Sequence, residues 1–91
     1  MSQPPTRDEV LALVKRHLLE VIDGLTEDAI DLHKSMAESG ATSLDIVEVV
    51  SGAMRDLGVK IPRAELALLE NIDELVDTLH GAALAKSNAA K

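Results

Sequence analysis

The first apolar residues of the chain recur at steps of three and four. Thr6 followed by Glu9 has the spacing of a capping box, and Pro4-Pro5 disfavours an earlier start. A first helix is therefore predicted to begin near Arg7, with one apolar face buried. That face consists of Val10, Leu13, Val14, Leu18, Val21 and Ile22, and it ends near Asp23-Gly24.

The helical period is lost between residues 25 and 41, where acidic and small residues separate the apolar ones. We interpret this stretch as a long, partly packed loop, which is unusual in a small domain and is often functional. Thr26 is suited to cap a short helical turn over residues 26–29.

A second helix is predicted from about Ser43 to Leu57, and Gly58 suits the left-handed position that closes it. Its inward residues are Ile46, Val50, Ala53 and Leu57. Its outward residues are Leu44, Val47, Glu48, Ser51 and Arg55. The outward apolar residues have two interpretations: they are ordinary, singly exposed aliphatic residues, which are common, or they form a small docking face beside Ser43.

For the last third of the chain, the sequence pattern predicts less helix. An extended connector over residues 59–62 leads to a short helical segment over residues 63–69. A last helix is predicted from Ile72 to His80, with Asn71 and Glu74 marking its start and Gly81 its end. Its inward residues are Ile72, Leu75, Val76 and Leu79.

These elements predict an all-α fold: a small bundle of three main helices and one short helix, with a long loop between the first two. The expected organisation is a flexible N-terminus over residues 1–5, one helical domain over residues 6–81 and a flexible tail over residues 82–91. The 91 residues are enough for a single small core.

Composition narrows the partners. The chain has no Phe, Tyr or Trp, and its net charge is −7, which disfavours nucleic acid and anionic membranes and favours partners with basic patches. There is no cysteine, no signal-peptide layout and no apolar run of membrane-spanning length. We expect a cytoplasmic monomer.

The sequence offers no catalytic or metal-binding constellation. His17, His33 and His80 fall at no metal-like spacing, and no nucleophile elbow or phosphate-cradling glycine loop is present. Most carboxylates have the spacing of solvated helix faces. We therefore predict neither an enzyme nor a metal site.

The segment Gly40-Ala41-Thr42-Ser43-Leu44-Asp45 carries the strongest functional signal. It places Ser43 at the start of the second helix, where unpaired backbone N–H groups and the helix dipole favour an anion such as a phosphate ester. The plainer interpretation is that Thr42 or Ser43 only caps the helix, with Thr42 and Asp45 spaced as a capping box.

The arrangement resembles the carrier-protein family, the acyl and peptidyl carriers of fatty acid, polyketide and nonribosomal peptide assembly. The resemblance spans roughly Val10 to Leu79. It includes residues 36–45 against the family pattern apolar-x-acid-Leu-Gly-x-Asp-Ser-Leu-Asp, then Val47-Glu48, and the connector Val59-Lys60-Ile61-Pro62.

The resemblance implies that a phosphopantetheinyl transferase esterifies Ser43 with phosphopantetheine from coenzyme A. The arm would then carry an acyl group as a thioester to partner enzymes such as an acyltransferase or ketosynthase. Docking in this family uses the start of the second helix, here Leu44, Asp45, Val47 and Glu48.

Three departures from the family pattern matter. Thr42 stands where the family usually has Asp and loses a charge, and Ser39 replaces the usual Leu, which would loosen the loop. Arg55 interrupts the acidic face of the second helix and disfavours primary fatty acid synthesis.

Within the family, residues 40–45, 61–66 and 71–75 are similar to free-standing polyketide carriers that donate acetyl or a similar short acyl group to a hydroxymethylglutaryl synthase-like enzyme for β-branching. Two alternatives stay open: an unmodified helical adaptor that binds a partner through Leu44, Val47 and Glu48, and an aminoacyl carrier of a nonribosomal peptide system.

Overall fold

The computed structural model describes residues 4–38 and 40–89, and the side chains of residues 4–86 within that part. It has three long helices, α1 (Arg7–Val21), α2 (Ser43–Leu57) and α4 (Ile72–Ala89), with a four-residue helix α3 (Arg63–Leu66). A single 3-10 turn, Glu27–Ala29, interrupts the loop between α1 and α2. The described residues contain no strand, so the predicted all-α bundle is confirmed.

The predicted helix boundaries are confirmed where capping residues mark them. The Thr6 hydroxyl accepts the Glu9 N–H at 3.2 Å, and the Glu9 carboxylate accepts the Thr6 N–H at 3.0 Å, which completes the predicted capping box of α1. Gly58 adopts φ 67° directly after α2, the left-handed conformation in which glycine has no Cβ penalty.

The core is aliphatic and lies between the three long helices. Val49 of α2 is fully buried although it was not among the predicted inward residues, while the predicted Ile46 and Leu57 are half-buried. On α1, the predicted Leu13 is also half-buried, and Leu11 packs against the core instead. Because α2 is packed by both α1 and α4, its buried face is wider than the narrow arc that the sequence suggested.

The predicted end of the last helix at Gly81 is wrong. α4 continues through Gly81 to Ala89, and Ala83 is buried in the core. A helical glycine costs about 1 kcal/mol relative to alanine, a penalty that the strong helix formers after it and the packing of Ala83 can offset. The expected tail over residues 82–91 is therefore helical as far as Ala89, and residues 90–91 lie outside the described part, as do residues 1–3 of the expected flexible N-terminus.

The third helix is shorter than the predicted segment over residues 63–69. α3 ends at Leu66, and a turn follows in which the Leu68 N–H donates to the Glu65 carbonyl at 3.1 Å. Leu66 and Leu69 pack against the core from this region, whereas Leu68 points away from it.

The long loop before α2 is tied to the start of α4. The Ile72 N–H donates to the Lys34 carbonyl at 3.1 Å, and the Asp73 N–H donates to the Leu32 carbonyl at 3.0 Å. The loop thus supplies acceptors for first-turn N–H groups that a helix cannot satisfy itself. The 3-10 turn follows Thr26 as predicted, although the Thr26 side chain makes no capping hydrogen bond. Ser39, expected to loosen this loop, lies outside the described residues.

Two groups of polar contacts join the long helices. Arg7 of α1 binds the carboxylates of Asp77 and Asp73 on α4, which raise the pKa of its guanidinium above the ordinary value. Further along α1, His17 and Arg16 both contact Asp56 of α2. In the part of the chain described, no helix is both long and apolar enough to traverse a bilayer.

Candidate functional site

Ser43 is the first residue of α2, and its side chain is exposed to solvent. The chain reaches it through Gly40, whose φ of 103° lies in the left-handed region that favours glycine. Ala41 follows and is buried, so the chain is anchored in the core two residues before the serine. The serine is therefore presented at the surface by a fixed backbone.

The structure assigns the cap of α2 to Thr42. Its hydroxyl accepts the Asp45 N–H at 3.1 Å, and the Asp45 carboxylate accepts the Thr42 N–H at 3.1 Å. This is the predicted capping box, and it decides between the two candidate caps. Among the described residues, no hydrogen bond engages the Ser43 hydroxyl, so this side chain is available for other chemistry.

The start of α2 suits an anion attached to Ser43. The Thr42 side chain satisfies the Asp45 N–H, and the Thr42 carbonyl satisfies the Ile46 N–H at 3.0 Å. Within the described part, the N–H groups of Ser43 and Leu44 have no such partner. Two unpaired donors at the positive end of a helix favour a phosphate oxygen, so the residues present fit a phosphodiester on Ser43.

The structure places the four predicted docking residues around the start of α2, with different environments. Leu44 and Val47 are 68% and 57% exposed, and Glu48 is exposed beside them. Asp45 is half-buried, and one of its carboxylate oxygens is engaged by the cap. Three of the four side chains are thus free to meet a partner, while Asp45 mainly holds the helix start.

A cleft that the sequence did not predict opens beside these residues. It has a volume of about 680 Å³ and lies between α2, α3 and the end of the long loop. Its lining includes Val47, Met54, Leu66, Ala67 and Leu69. No local sequence pattern predicts this cleft, because its lining comes from segments that are far apart in the chain.

The only histidine contact with a carboxylate among the described residues joins His17 to Asp56, at 2.8 Å between Nε2 and Oδ2. The hydrogen bond from His17 lowers the pKa of Asp56, and the charges of His17, Arg16 and Arg55 act in the same direction. This contact joins α1 to α2. In the described part no group of three or more His, Asp or Glu side chains is arranged to hold a metal ion.

Comparison with known proteins adds to this geometry. The family model described as "Phosphopantetheine attachment site" matches residues 13–79. The chain is 30% identical over 74 residues to the polyketide biosynthesis acyl-carrier-protein AcpK of Bacillus subtilis (strain 168), covering 81% of this chain and 90% of that protein. It is also similar to a chain in the crystal structure of the curacin biosynthetic pathway HMG synthase in complex with acetyl donor-ACP, with a TM-score of 0.72, 32% identity and coverage of 87% of this chain and 99% of the other.

Proposed function

Because the chain belongs to the phosphopantetheine-attachment family of acyl carrier proteins, which carry rather than catalyse, we propose that Ser43 is its attachment residue. Phosphopantetheine is the cofactor of this family. The observation that carries the assignment is that Ser43 is exposed at the start of α2 while Thr42, not Ser43, provides the cap. A hydroxyl with no structural task can be esterified without cost to the helix.

The chain's own residues prepare this attachment. The Thr42–Asp45 capping box fixes the first turn of α2, and the N–H groups of Ser43 and Leu44 are placed to hold the phosphate. A separate phosphopantetheinyl transferase would supply the group from coenzyme A. When bound, the arm contributes a terminal thiol that holds acyl groups as thioesters, and the chain itself has no cysteine to compete with it.

The cargo we propose is a short acyl group, acetyl in the first instance, delivered in polyketide biosynthesis to an HMG synthase-like enzyme. Two relatives support this: AcpK is a polyketide carrier, and the structurally similar chain comes from a complex of an HMG synthase with its acetyl donor-ACP. An acyltransferase or ketosynthase would act on the same arm. The proposal fits the predicted donor role.

Docking in this proposal uses Leu44, Val47 and Glu48, with Asp45 positioning them. Leu44 and Val47 supply apolar area, and Glu48 supplies negative charge next to it. Such a surface favours a partner with basic residues around an apolar patch, because charge speeds the encounter while a small interface allows fast release.

The decisive experiment is to incubate the purified chain with coenzyme A, magnesium and a broad-specificity phosphopantetheinyl transferase, beside Ser43→Ala. We expect the intact mass to rise by one phosphopantetheine, fragment masses to place it on Ser43, and the variant to stay unmodified. An unchanged mass in a folded wild-type sample, or modification of the variant, would contradict the assignment and favour an unmodified adaptor.

A further inference from the structure

The face of α4 that packs on the core continues past Gly81. Leu79 and Ala83 are buried and Ala82 packs against the core, while Lys86 follows on the same face, three residues after Ala83. The family model ends at Leu79, so this continuation lies beyond the part of the chain that the model matches. The same face that buries Ala83 therefore brings Lys86 to the surface of the bundle.

The side chain of Lys86 lies against Gly58, the residue that closes α2. A Cβ atom placed on Gly58 would collide with Nζ of Lys86 and would lie 3.7 Å from its Cε. Gly58 also has a φ of 67°, a conformation that glycine adopts without a Cβ penalty. Glycine at this position therefore does two things: it ends the helix, and it leaves room for the ammonium group.

The end of α2 carries partial negative charge beside this ammonium group. The N–H groups of Gly58 and Val59 donate to carbonyls earlier in α2, at 3.2 and 3.0 Å. In the described part of the chain, the carbonyls of Asp56 and Leu57 accept no hydrogen bond. Unpaired carbonyls at the C-terminal end of a helix attract a cation, so this end of α2 favours the Lys86 ammonium group.

Carboxylates do not account for the position of Lys86. Among the residues that the structure describes, Lys86 forms no ion pair and no hydrogen bond. Asp56, the acidic residue in the last turn of α2, is bound instead by His17 and Arg16, at 2.8 and 2.9 Å. The negative group that the Lys86 ammonium meets is therefore the end of the α2 backbone itself.

We propose that Lys86 is an electrostatic latch: its ammonium group holds the end of α4 against the end of α2, and removing the positive charge loosens both helix ends. In the described part of the chain, no core residue follows Ala83, so the latch restrains a stretch of α4 that apolar packing does not hold. Ser43 is the first residue of α2, and the latch acts at the opposite end of that helix. It requires no group on Ser43 and is independent of attachment there.

The first test measures hydrogen exchange of the full unmodified chain by mass spectrometry, as protection factors for the amides of residues 84–86. Lys86→Met should lower them at least twofold, because methionine keeps the length and helix propensity of lysine but not its charge. Lys60→Met is the matched control: Lys60 is an exposed lysine two residues after Gly58, and its loss should change the factors by less than twofold. A change below twofold in Lys86→Met, or an equal loss in Lys60→Met, would overturn the latch.

The second test asks whether Lys86 acts at Gly58 and through its charge. Asparagine tolerates the left-handed conformation better than other residues with a Cβ, but at position 58 that Cβ would displace Nζ of Lys86. Gly58→Asn should therefore lower the same protection factors, and adding Lys86→Met should lower them no further. In about 1 M NaCl, which screens the charge, the difference between wild type and Lys86→Met should disappear. Losses that multiply in the double variant, or a difference that persists in salt, would overturn the latch.

Discussion

At the start of α2, Thr42 and Ser43 have different environments although both are hydroxyl residues. Thr42 exchanges two hydrogen bonds with Asp45, each 3.1 Å long, while Ser43 is the exposed first residue of the helix. This division explains how Thr42 can stand where related carriers usually have Asp: its hydroxyl keeps the cap, although it brings no charge. Thr42 therefore caps the helix, and Ser43 is the residue that we propose as the attachment site.

Removing each hydroxyl in turn should give different stabilities. Thr42→Ala is expected to lower the free energy of unfolding by about 1 kcal/mol, because the first turn of α2 loses its cap, while Thr42→Ser should restore most of it. Ser43→Ala should change it by less than about 0.5 kcal/mol. Urea unfolding followed by far-UV circular dichroism measures these values, since the chain has no aromatic residue. If Ser43→Ala lowered the free energy of unfolding as much as Thr42→Ala, Ser43 and not Thr42 alone would cap α2.

Among the elements, α1 and α2 were predictable because local signals mark both of their starts. The Thr6–Glu9 and Thr42–Asp45 spacings fix the two starts, and Gly58 fixes the end of α2. The end of α4 was not predictable, because a glycine followed by alanines reads equally as a stop or as an exposed position inside a helix. The helix continues past Gly81 because Ala83 is buried in the core, and that burial depends on helices distant in sequence.

In the candidate site, too, features that depend on distant packing could not be predicted from the sequence. Ser43, Leu44, Val47 and Glu48 could be placed from the period of α2 alone, and all four are exposed. The cleft and Leu68 could not, because α3 and the following turn are positioned by tertiary packing that no local pattern encodes. The contact of His17 with Asp56, which are 39 residues apart, was hidden for the same reason.

Substitutions at two glycines test whether α4 continues through Gly81. Gly81 is exposed inside α4, with ordinary helical φ and open space where a Cβ would lie, so Gly81→Ala should raise the free energy of unfolding by about 0.5–1 kcal/mol. Gly58→Ala is the control at a true helix end: its φ of 67° is unfavourable for alanine, and it should lower stability by about 1 kcal/mol. If both substitutions destabilised the protein, Gly81 would be a helix terminus after all.

At the scale of the whole molecule, α1 makes polar contacts with both of the other long helices. Arg7 reaches Asp73 and Asp77 on α4, and His17 with Arg16 reaches Asp56 on α2. The His17 side chain is only 12% exposed, and its ring lies over Gly52, where a Cβ would come within 2.6 Å of Cε1. The absence of a side chain at Gly52 therefore allows the ring to reach Asp56, which lies one turn further along α2.

The contact of His17 with Asp56 should make the free energy of unfolding depend on pH in the acidic range. The hydrogen bond from His17, helped by the charges of His17, Arg16 and Arg55, lowers the pKa of Asp56 below its ordinary value of 3.8. A carboxylate whose pKa is lowered on folding stabilises the folded state above its unfolded pKa, and that contribution is lost as the pH falls through the folded pKa. The stability difference between wild type and Asp56→Asn should therefore be present above about pH 4 and shrink as the pH falls below it.

The measurement is a series of urea unfolding curves from pH 7 to pH 2.5, followed by circular dichroism. His17→Ala provides the matched background: because His17 is the main cause of the shift, Asp56→Asn should there show a weaker dependence on pH than in the wild-type background. Parallel pH profiles for wild type and Asp56→Asn would show that the carboxylate charge does not stabilise the contact. In that case His17 would contribute to the contact between α1 and α2 through the packing of its ring on Gly52 rather than through its hydrogen bond.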